Sequence, residues 1–249
     1  LARLKAAFVE FLHRMPFYGT AIVCSDDPGV RSIVDDIARP VTTYGLNEGA
    51  QVRAVDVRAH NGQMHFTVQR RNGVTLPDLP IVLNLPGEHN VLNATAALTM
   101  AMELGVDFGV ASHALSSFRG VARRFDLRGV DHGVTFVDDY AHLPNEIIAM
   151  LRGARDATDK WDRVVAVFQP NRFNRMSVMS GAYADAFGDA DVVVITDIYS
   201  SGTTPIPGVT GKLVVDAIKN NHPDKRVEWI AQREDLVIFL ASTLTSGDL

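Results

Sequence analysis

The chain has 249 residues, of which 47% are apolar and 21% are charged, a balance that excludes an intrinsically disordered or a collagen-like protein. A formal net charge of −5 argues against a nucleic acid or an anionic membrane surface as a partner. The single cysteine cannot form a disulfide within the chain, which fits a reducing cytosol, and no apolar run approaches the roughly 18 residues of a membrane helix. At about 150 residues per domain, the length predicts one to two domains.

The two ends of the sequence are not typical of natural termini. The chain begins with Leu1-Ala2-Arg3, without a methionine, and residues 245–249 have the composition of a turn that leads into further structure. We therefore expect the chain to be a piece of a longer protein.

Hydrophobic spacing and turn residues predict the elements of the first half. Apolar residues at helical spacing predict an amphipathic helix over 3–14, and the apolar run 20–24 predicts a buried strand. Pro28 suits the first position of a helix, which we predict to run to about residue 36. Asn61-Gly62 predicts a tight hairpin turn, because both residues tolerate positive φ. Up to residue 120, the other predicted strands are 42–44, 51–58, 63–69, 74–76 and 81–85, and the other predicted helices are 90–104 and 108–118.

The pattern changes after a basic, helix-poor stretch at 119–124, which predicts a boundary between domains 1–120 and 121–249. In the second half, strands alternate with helices of ten to fifteen residues, and this alternation indicates βαβ units in a parallel, doubly wound sheet. The strands predicted there are 125–130, 134–137, 163–168, 191–196 and 226–230, and the helices are 145–157, 175–187, 210–220 and 233–244.

Three loops that follow predicted strands, at 138–144, 169–175 and 197–202, are rich in functional side chains. Ligands of open α/β sheets bind at the carboxyl ends of the strands, so these loops are expected to face one crevice. Arginine can bind a carboxylate or a phosphate through two parallel hydrogen bonds, so the set suits an anionic substrate. The alternative is that the acidic and amide side chains only cap helices and that the arginines are solvated. The candidates are Asp138, Asp139, His142, Arg172 and Arg175.

A second candidate site lies where the segment 87–93 follows a strand and opens a helix. His89 and Asn93 are four residues apart and share one helical face near the positive N-terminus. An imidazole and an amide there can read the edge of a nucleobase. A capping histidine and a core-facing asparagine are the alternative, which the spacing alone favours. The sequence contains no Walker A loop, no cluster with metal-ligand spacing and no GxSxG elbow.

Taken in order, five segments resemble motifs of the Mur ligases. The ordered set spans essentially the whole chain and is far more specific than any one motif. The segments are NLPGEHNVLNA at 84–94, RRF at 123–125, VDDYAH at 137–142, FQPNR at 168–172, and TDIY at 196–199 with PIPGV at 205–209.

The resemblance implies an ATP-dependent amide ligase of peptidoglycan precursor synthesis, and hence a cytoplasmic bacterial enzyme of cell-wall biogenesis, cell shape and division. It is strongest to the members that join L-alanine to UDP-N-acetylmuramate. Such enzymes phosphorylate the carboxylate of the sugar nucleotide, the amine attacks the acyl phosphate, and the tetrahedral intermediate expels phosphate. The order is sensible, because a carboxylate is a poor electrophile until it carries a good leaving group.

The resemblance also implies how the chain is divided. Residues 1–120 resemble the later part of a central ATPase-type α/β domain, and residues 121–249 resemble a C-terminal Rossmann-like, doubly wound domain. The UDP-binding domain, the phosphate-binding loop, the residues that hold Mg²⁺ and the last strand of the family are expected outside this chain. We therefore expect the isolated chain to be inactive.

Residue by residue, the resemblance implies three groups of roles. His89 and Asn93 match positions that contact the adenine of ATP, and Arg124 matches an arginine that reaches the nucleotide phosphates when the domains close. The positions that match the amino-acid pocket have Arg175 for the alanine carboxylate, Arg172 for the same anion-rich cleft and Asp139 for ordering of the loop. Tyr140 and His142 complete the pocket, and Arg124 and His142 are the catalytic candidates.

The chain departs from the family pattern at four positions of that pocket. Leu143 stands where a second histidine is usual, Asn145 where Thr or Ser is usual, Asn171 where His is usual and Phe173 where Tyr is usual. These departures keep open a ligase that attaches a preformed peptide to UDP-N-acetylmuramate during murein recycling, and a non-catalytic binding module. A nicotinamide-dependent dehydrogenase is a weaker alternative, because no GxGxxG follows any predicted strand.

Overall fold

A computed structural model describes residues 2–70, 78–157 and 161–249 of the chain. The backbone divides into two compact units, Leu1–Arg119 and Gly120–Leu249, and each of them is an α/β structure. In the described ranges, no helix is long and apolar enough to cross a membrane.

The first unit contains a mixed sheet. Its strands are β1 (Ala21–Cys24), β2 (Val41–Gly45), β3 (Val52–His60), β4 (Gln63–Arg70) and β5 (Leu79–Leu83), and its helices are α1 (Ala2–His13), α2 (Pro28–Arg31), α3 (Glu88–Glu103) and α4 (Phe108–Ser117). The strands follow one another in the order β1-β2-β3-β4-β5. The pairs β1–β2 and β2–β3 are parallel, whereas β3, β4 and β5 form an antiparallel meander. The strand predicted at 74–76 lies outside the described residues.

The hairpin turn between β3 and β4 is confirmed. Asn61 and Gly62 have φ values of 51° and 78°, and the flanking pair His60 and Gln63 closes the turn. Positive φ at both central positions is the requirement of the turn that matches the twist of a hairpin. The helix predicted from Pro28 to about residue 36 is shorter than expected. It ends at Arg31 and is followed by a separate 3₁₀ turn over Val34–Asp36, because glycine and β-branched residues in this stretch disfavour a longer helix.

One face of α3 builds the core of the first unit. Val91, Ala94 and Leu98 recur at helical spacing and are buried, and they pack with sheet residues such as Phe66 and Ile81. Burying an apolar side chain of this size contributes about 1.5–3 kcal/mol relative to exposure. The start of α3 is therefore held firmly against the sheet.

The second unit combines a hairpin with a parallel sheet. The strands are β6 (Asp126–Asp131), β7 (Val134–Asp138), β8 (Val165–Phe168), β9 (Val192–Ile195) and β10 (Arg226–Trp229), and the helices are α5 (Pro144–Ala157), α6 (Phe173–Met179), α7 (Lys212–Asn221) and α8 (Arg233–Thr243). The parallel strands lie in the order β10-β9-β8, and helices connect them, so the predicted βαβ units are confirmed. All four residues of the central strand β9 are buried, as expected for a strand covered on both faces.

The helix predicted over 175–187 differs from the structure. Helix α6 ends at Met179, and a 3₁₀ turn over Ser180–Tyr183 follows it. Serine and glycine at 180 and 181 have low helix propensity, which accounts for the early end. The change matters because Tyr183, on the 3₁₀ turn, is fully buried and faces the loop that follows β7.

Residues 247–249 lie between the hairpin and the parallel sheet. The Leu249 backbone N–H donates to the Arg163 carbonyl, Val165 N–H donates to the Leu249 carbonyl, and Thr135 N–H donates to the Asp248 carbonyl, at 2.7–2.9 Å. The Asp248 side chain is fully buried and accepts hydrogen bonds from the Arg163 guanidinium. These hydrogen bonds from Arg163, together with a backbone N–H, hold the pKa of Asp248 below its usual value although burial opposes them. A largely apolar cavity of about 360 Å³ lies beside this segment, between β7 and β8.

Candidate functional site

The loop that follows β7 is tied to the segment before β6 by a carboxylate. Asp139 Oδ2 accepts a hydrogen bond from Phe125 N–H, and Oδ1 accepts one from Ala141 N–H, each at 2.7 Å. Tyr140 N–H donates to the Arg123 carbonyl at 2.8 Å. Arg123 and Phe125 both have positive φ, a strained backbone state that these bonds help to hold. Asp139 therefore orders the loop, whereas Asp138 is exposed.

Two arginines lie over the ring of Tyr140. The guanidinium carbon of Arg123 is 4.6 Å from the ring centroid, and that of Arg124 is 5.7 Å away. A cation at such a distance is attracted by the negative face of an aromatic ring. Arg124 is thereby placed beside the loop that carries Tyr140 and His142.

His142 is the centre of the loop. Its ring lies 5.2 Å from that of Tyr140, edge to face, and its Nδ1 is 3.0 Å from the Tyr140 carbonyl oxygen and 3.3 Å from Glu146 Oε2. The same carboxylate oxygen accepts hydrogen bonds from the backbone N–H groups of His142 and Leu143 at 2.9 and 3.0 Å. Burial favours a raised pKa for Glu146, but these two N–H groups and the electrostatic effect of the neighbouring His142 and Arg124 side chains lower it below the usual value.

A buried tyrosine joins this loop to α6. The Tyr183 hydroxyl donates to the His142 carbonyl at 2.8 Å. Burial raises the pKa of Tyr183, the nearby Arg175 guanidinium opposes the rise, and the Glu146 carboxylate adds to it. Arg175 Nη1 is itself buried and has no hydrogen-bond partner among the described residues. Because an unpaired buried donor is costly, this nitrogen is suited to the oxygen of an anionic ligand.

The contacts thus bring together Arg124, Tyr140 and His142 of the predicted set, and Tyr183 links Arg175 to them. Arg172 is different. It is exposed at the start of α6, with φ of 69°, and its backbone N–H donates to the Tyr199 carbonyl at 2.9 Å. The loops after β8 and β9 are joined there, since Asn171 and Tyr199 also form a parallel bridge. Within the described part of the chain, the side chain of Arg172 forms no hydrogen bond or ion pair with Tyr140 or His142.

Two residues of this site were missed by the sequence reasoning. The role of Glu146 at the start of α5 could have been predicted, because a proline at the first helical position and a glutamate two residues later are typical of a helix start. Tyr183 had none, since it lies inside the segment predicted as a continuous helix and its hydroxyl meets a carbonyl 41 residues away.

In the first unit, the candidate nucleotide-binding residues lie at the start of α3. His89 is half-buried, and Asn93 is exposed, with its amide 3.4 Å from the Asn90 side-chain oxygen. The alternative of a core-facing Asn93 is therefore wrong. Gly87 precedes the helix with φ of 92°, a conformation that glycine adopts without strain. Among the described residues, no group of three His, Cys, Asp or Glu side chains is placed to hold a metal.

Both units match family models. The Mur ligase middle domain matches residues 1–101, and the Mur ligase, glutamate ligase domain matches residues 123–249. The chain belongs to the Mur ligase family. It is 50% identical over 225 residues to the UDP-N-acetylmuramate--L-alanine ligase of Variovorax paradoxus, which covers 88% of this chain and 46% of that protein. The chain spans about half the length of the curated relatives that it matches.

Solved structures show the same fold. The UDP-N-acetylmuramate-alanine ligase of Thermotoga maritima superimposes with a TM-score of 0.75 at 26% identity, over 99% of this chain and 50% of that one. The MurF ligase of the same organism, solved in complex with ADP, gives 0.71 at 18% identity, over 99% of this chain and 52% of that one. The predicted α/β class with a Rossmann-like second part is confirmed.

Proposed function

We propose that this chain is part of an ATP-dependent ligase that joins L-alanine to UDP-N-acetylmuramate through an acyl phosphate. The first unit is then the later part of a central ATP-binding domain, and the second unit is the C-terminal ligase domain. The observation that carries the proposal is the buried Nη1 of Arg175, which has no hydrogen-bond partner among the described residues. Arg175 lies near Tyr183, whose hydroxyl donates to the His142 carbonyl. The identity to UDP-N-acetylmuramate--L-alanine ligases supports L-alanine as the substrate in this proposal.

The residues of the second unit have separate tasks in this reaction. Arg175 binds the carboxylate of L-alanine, and Tyr140 and His142 line the pocket around its amine. The amine nitrogen forms a bond to the acyl carbon and loses a proton to a nearby base, the carbon–oxygen bond to phosphate breaks, and phosphate leaves with the electron pair. Arg124 stabilises the negative charge of the phosphate oxygens, a task that suits a guanidinium. Asp139 holds the loop through Phe125 and Ala141.

In the first unit, we propose that His89 and Asn93 bind the adenine of ATP. Both follow Gly87 on the first turns of α3, and the Asn93 amide is exposed to accept a ligand. The ADP complex of the MurF relative supports a nucleotide as ligand of this fold. Mg²⁺ belongs to the proposed reaction, but no residue of the described chain is assigned to it. A cytoplasmic location is part of the same proposal, because its substrates are nucleotides.

The proposal is tested in a hybrid enzyme. The matched region of the Variovorax paradoxus ligase is replaced by residues 1–249, and phosphate release is measured with ATP, UDP-N-acetylmuramate and L-alanine. Release that requires all three substrates is expected, whereas the isolated chain should give none. A folded hybrid that releases no phosphate with alanine or any other amino acid would refute the ligase and favour a non-catalytic binding module.

A second function is favoured by one observation. Leu143, Asn145, Asn171 and Phe173 depart from the family pattern, and Leu143 lies directly in the loop that Glu146 holds. Such changes fit a ligase that accepts a preformed peptide. The hybrid separates the two functions if phosphate release with L-alanine is compared with release with the peptide at equal concentration.

A further inference from the structure

Glu146 contacts the candidate site at three points, although the proposed reaction does not use it. Its Oε2 accepts hydrogen bonds from His142 N–H and Leu143 N–H and lies 3.3 Å from His142 Nδ1. The side chains of His142 and Glu146 are 29% and 31% exposed, so water competes only in part for these contacts. One carboxylate oxygen therefore accepts from the backbone on both sides of this position and also lies within ion-pair distance of the His142 ring.

The surroundings of Nδ1 decide which ring nitrogen carries the proton. Nδ1 faces the Tyr140 carbonyl oxygen at 3.0 Å and the Glu146 carboxylate. Both groups only accept hydrogen bonds, so Nδ1 must be the donor when the imidazole is neutral. Nε2 is then the proton acceptor of the ring, and it forms no hydrogen bond with any of the described residues.

We propose that Glu146 is a positioning residue that fixes His142 with the proton on Nδ1 and leaves Nε2 to take a proton from the acceptor amine. The identity of the amine rests on the proposed function. In the step, Nε2 takes the proton that the amine nitrogen loses, the nitrogen electron pair forms the carbon–nitrogen bond, and phosphate leaves with the electrons of the broken carbon–oxygen bond. The imidazolium that results is stabilised by the Glu146 carboxylate beside it.

A purely structural role for Glu146 makes a different prediction. A carboxylate near the start of a helix can satisfy free N–H groups and interact favourably with the helix dipole without affecting any side chain. A cap of that kind would change stability when it is removed, but the proton of His142 would stay where it is. The tautomer of His142 therefore separates the two roles.

The tautomer is measured by long-range ¹H–¹⁵N correlation spectra of the 249-residue chain labelled with ¹⁵N-histidine, without any ligand. His142→Gln identifies the signals by their loss. The wild-type ring is expected in the Nδ1–H form, and Glu146→Ala is expected to lower the ratio of Nδ1–H to Nε2–H at least about tenfold, because it removes one of the two acceptor oxygens that face Nδ1. Glu146→Gln keeps an oxygen in place and is expected to restore the wild-type spectrum.

The controls keep the test decisive. Glu234→Ala removes a carboxylate from the first turn of α8 and should leave the His142 signals unchanged. If Glu146→Ala does not fold by circular dichroism, Glu146→Asp replaces it, because a side chain one methylene shorter withdraws the oxygen but keeps the charge. A wild-type ring in the Nε2–H form, or an unchanged tautomer in the folded Ala or Asp variant, would overturn the proposal.

Activity gives an independent readout. In the hybrid ligase, Glu146→Ala is expected to lower kcat about 10²-fold with an unchanged KM for ATP, which is the size of effect that a misplaced catalytic group produces. An unchanged kcat would also overturn the proposal. If the unmutated hybrid is inactive, the proposed function fails, whereas the spectra still decide the role of Glu146.

Discussion

Removing the Asp248 carboxylate should destabilise the second unit strongly. The side chain is fully buried, and its two oxygens accept hydrogen bonds from Arg163 Nε and Nη2 at 2.8 and 2.6 Å and from Thr245 N–H at 2.8 Å. Two charge-assisted hydrogen bonds at about 1.5 kcal/mol each give a loss of about 3 kcal/mol for Asp248→Ala. This is the low end for breaking a buried ion pair, because Arg163 is 32% exposed and can be rehydrated.

The assay is urea unfolding of the 249-residue chain at pH 7, followed by thermal melting. A loss of about 3 kcal/mol corresponds to a Tm lower by about 10 °C for a unit of this size. The matched control is Asp216→Ala, which removes an exposed ion pair with Lys212 and should change the free energy of unfolding by less than about 0.5 kcal/mol. If both variants lose the same small amount, the buried pair does not stabilise the unit and the reasoning fails.

The pH dependence has a definite sign. The pKa of Asp248 is lower in the folded chain than in the unfolded one, where it is about 3.9. The contribution of the ionised Asp248 carboxylate to the free energy of unfolding is therefore complete above roughly pH 4. It is lost as the pH falls through the pKa of the folded state. The wild type should lose stability more steeply than Asp248→Ala on acidification below about pH 4, and parallel curves would contradict the assignment.

Three further changes test the site and the fold. Arg175→Met in the hybrid ligase should raise the KM for L-alanine about 10²-fold, whereas Arg152→Met, on the exposed surface of α5, should leave it unchanged in steady-state kinetics. Asn93→Ala should weaken ATP binding about tenfold by calorimetry, the loss of one good hydrogen bond, and equal affinities would remove Asn93 from the nucleotide site. Gly62→Ala should cost about 1 kcal/mol in urea unfolding, because φ is 78° there, and a neutral result would mean that the turn can change its type.

Features that depend on neighbouring residues could be predicted from the sequence. Asn61-Gly62 specified the hairpin turn because the requirement for positive φ is local. The alternation of strands and helices after residue 125 likewise predicted the βαβ units, since each element is recognised by its own period. Asp139 and His142 could be placed at the end of β7 for the same reason.

Features that depend on distant contacts could not be predicted. The Tyr183 hydroxyl reaches the His142 carbonyl only because α6 ends early and a 3₁₀ turn redirects the chain. The burial of Arg175 Nη1 could not be predicted either, because burial depends on tertiary packing. The local sequence is typical of an exposed helix surface. Arg172 stays a prediction: it lies beside a strand end, as the sequence indicated, but the structure leaves its side chain exposed.

A chain is synthesised from its N-terminus, so the contacts of residues 247–249 form after the elements that they join. Arg163 can pair with Asp248 only after a further 85 residues have been synthesised. The hydrogen bonds from β7 to Asp248 and from β8 to Leu249 also form only then. The pairs within the first unit all lie before residue 120, and the first unit can therefore form while the second is still being translated.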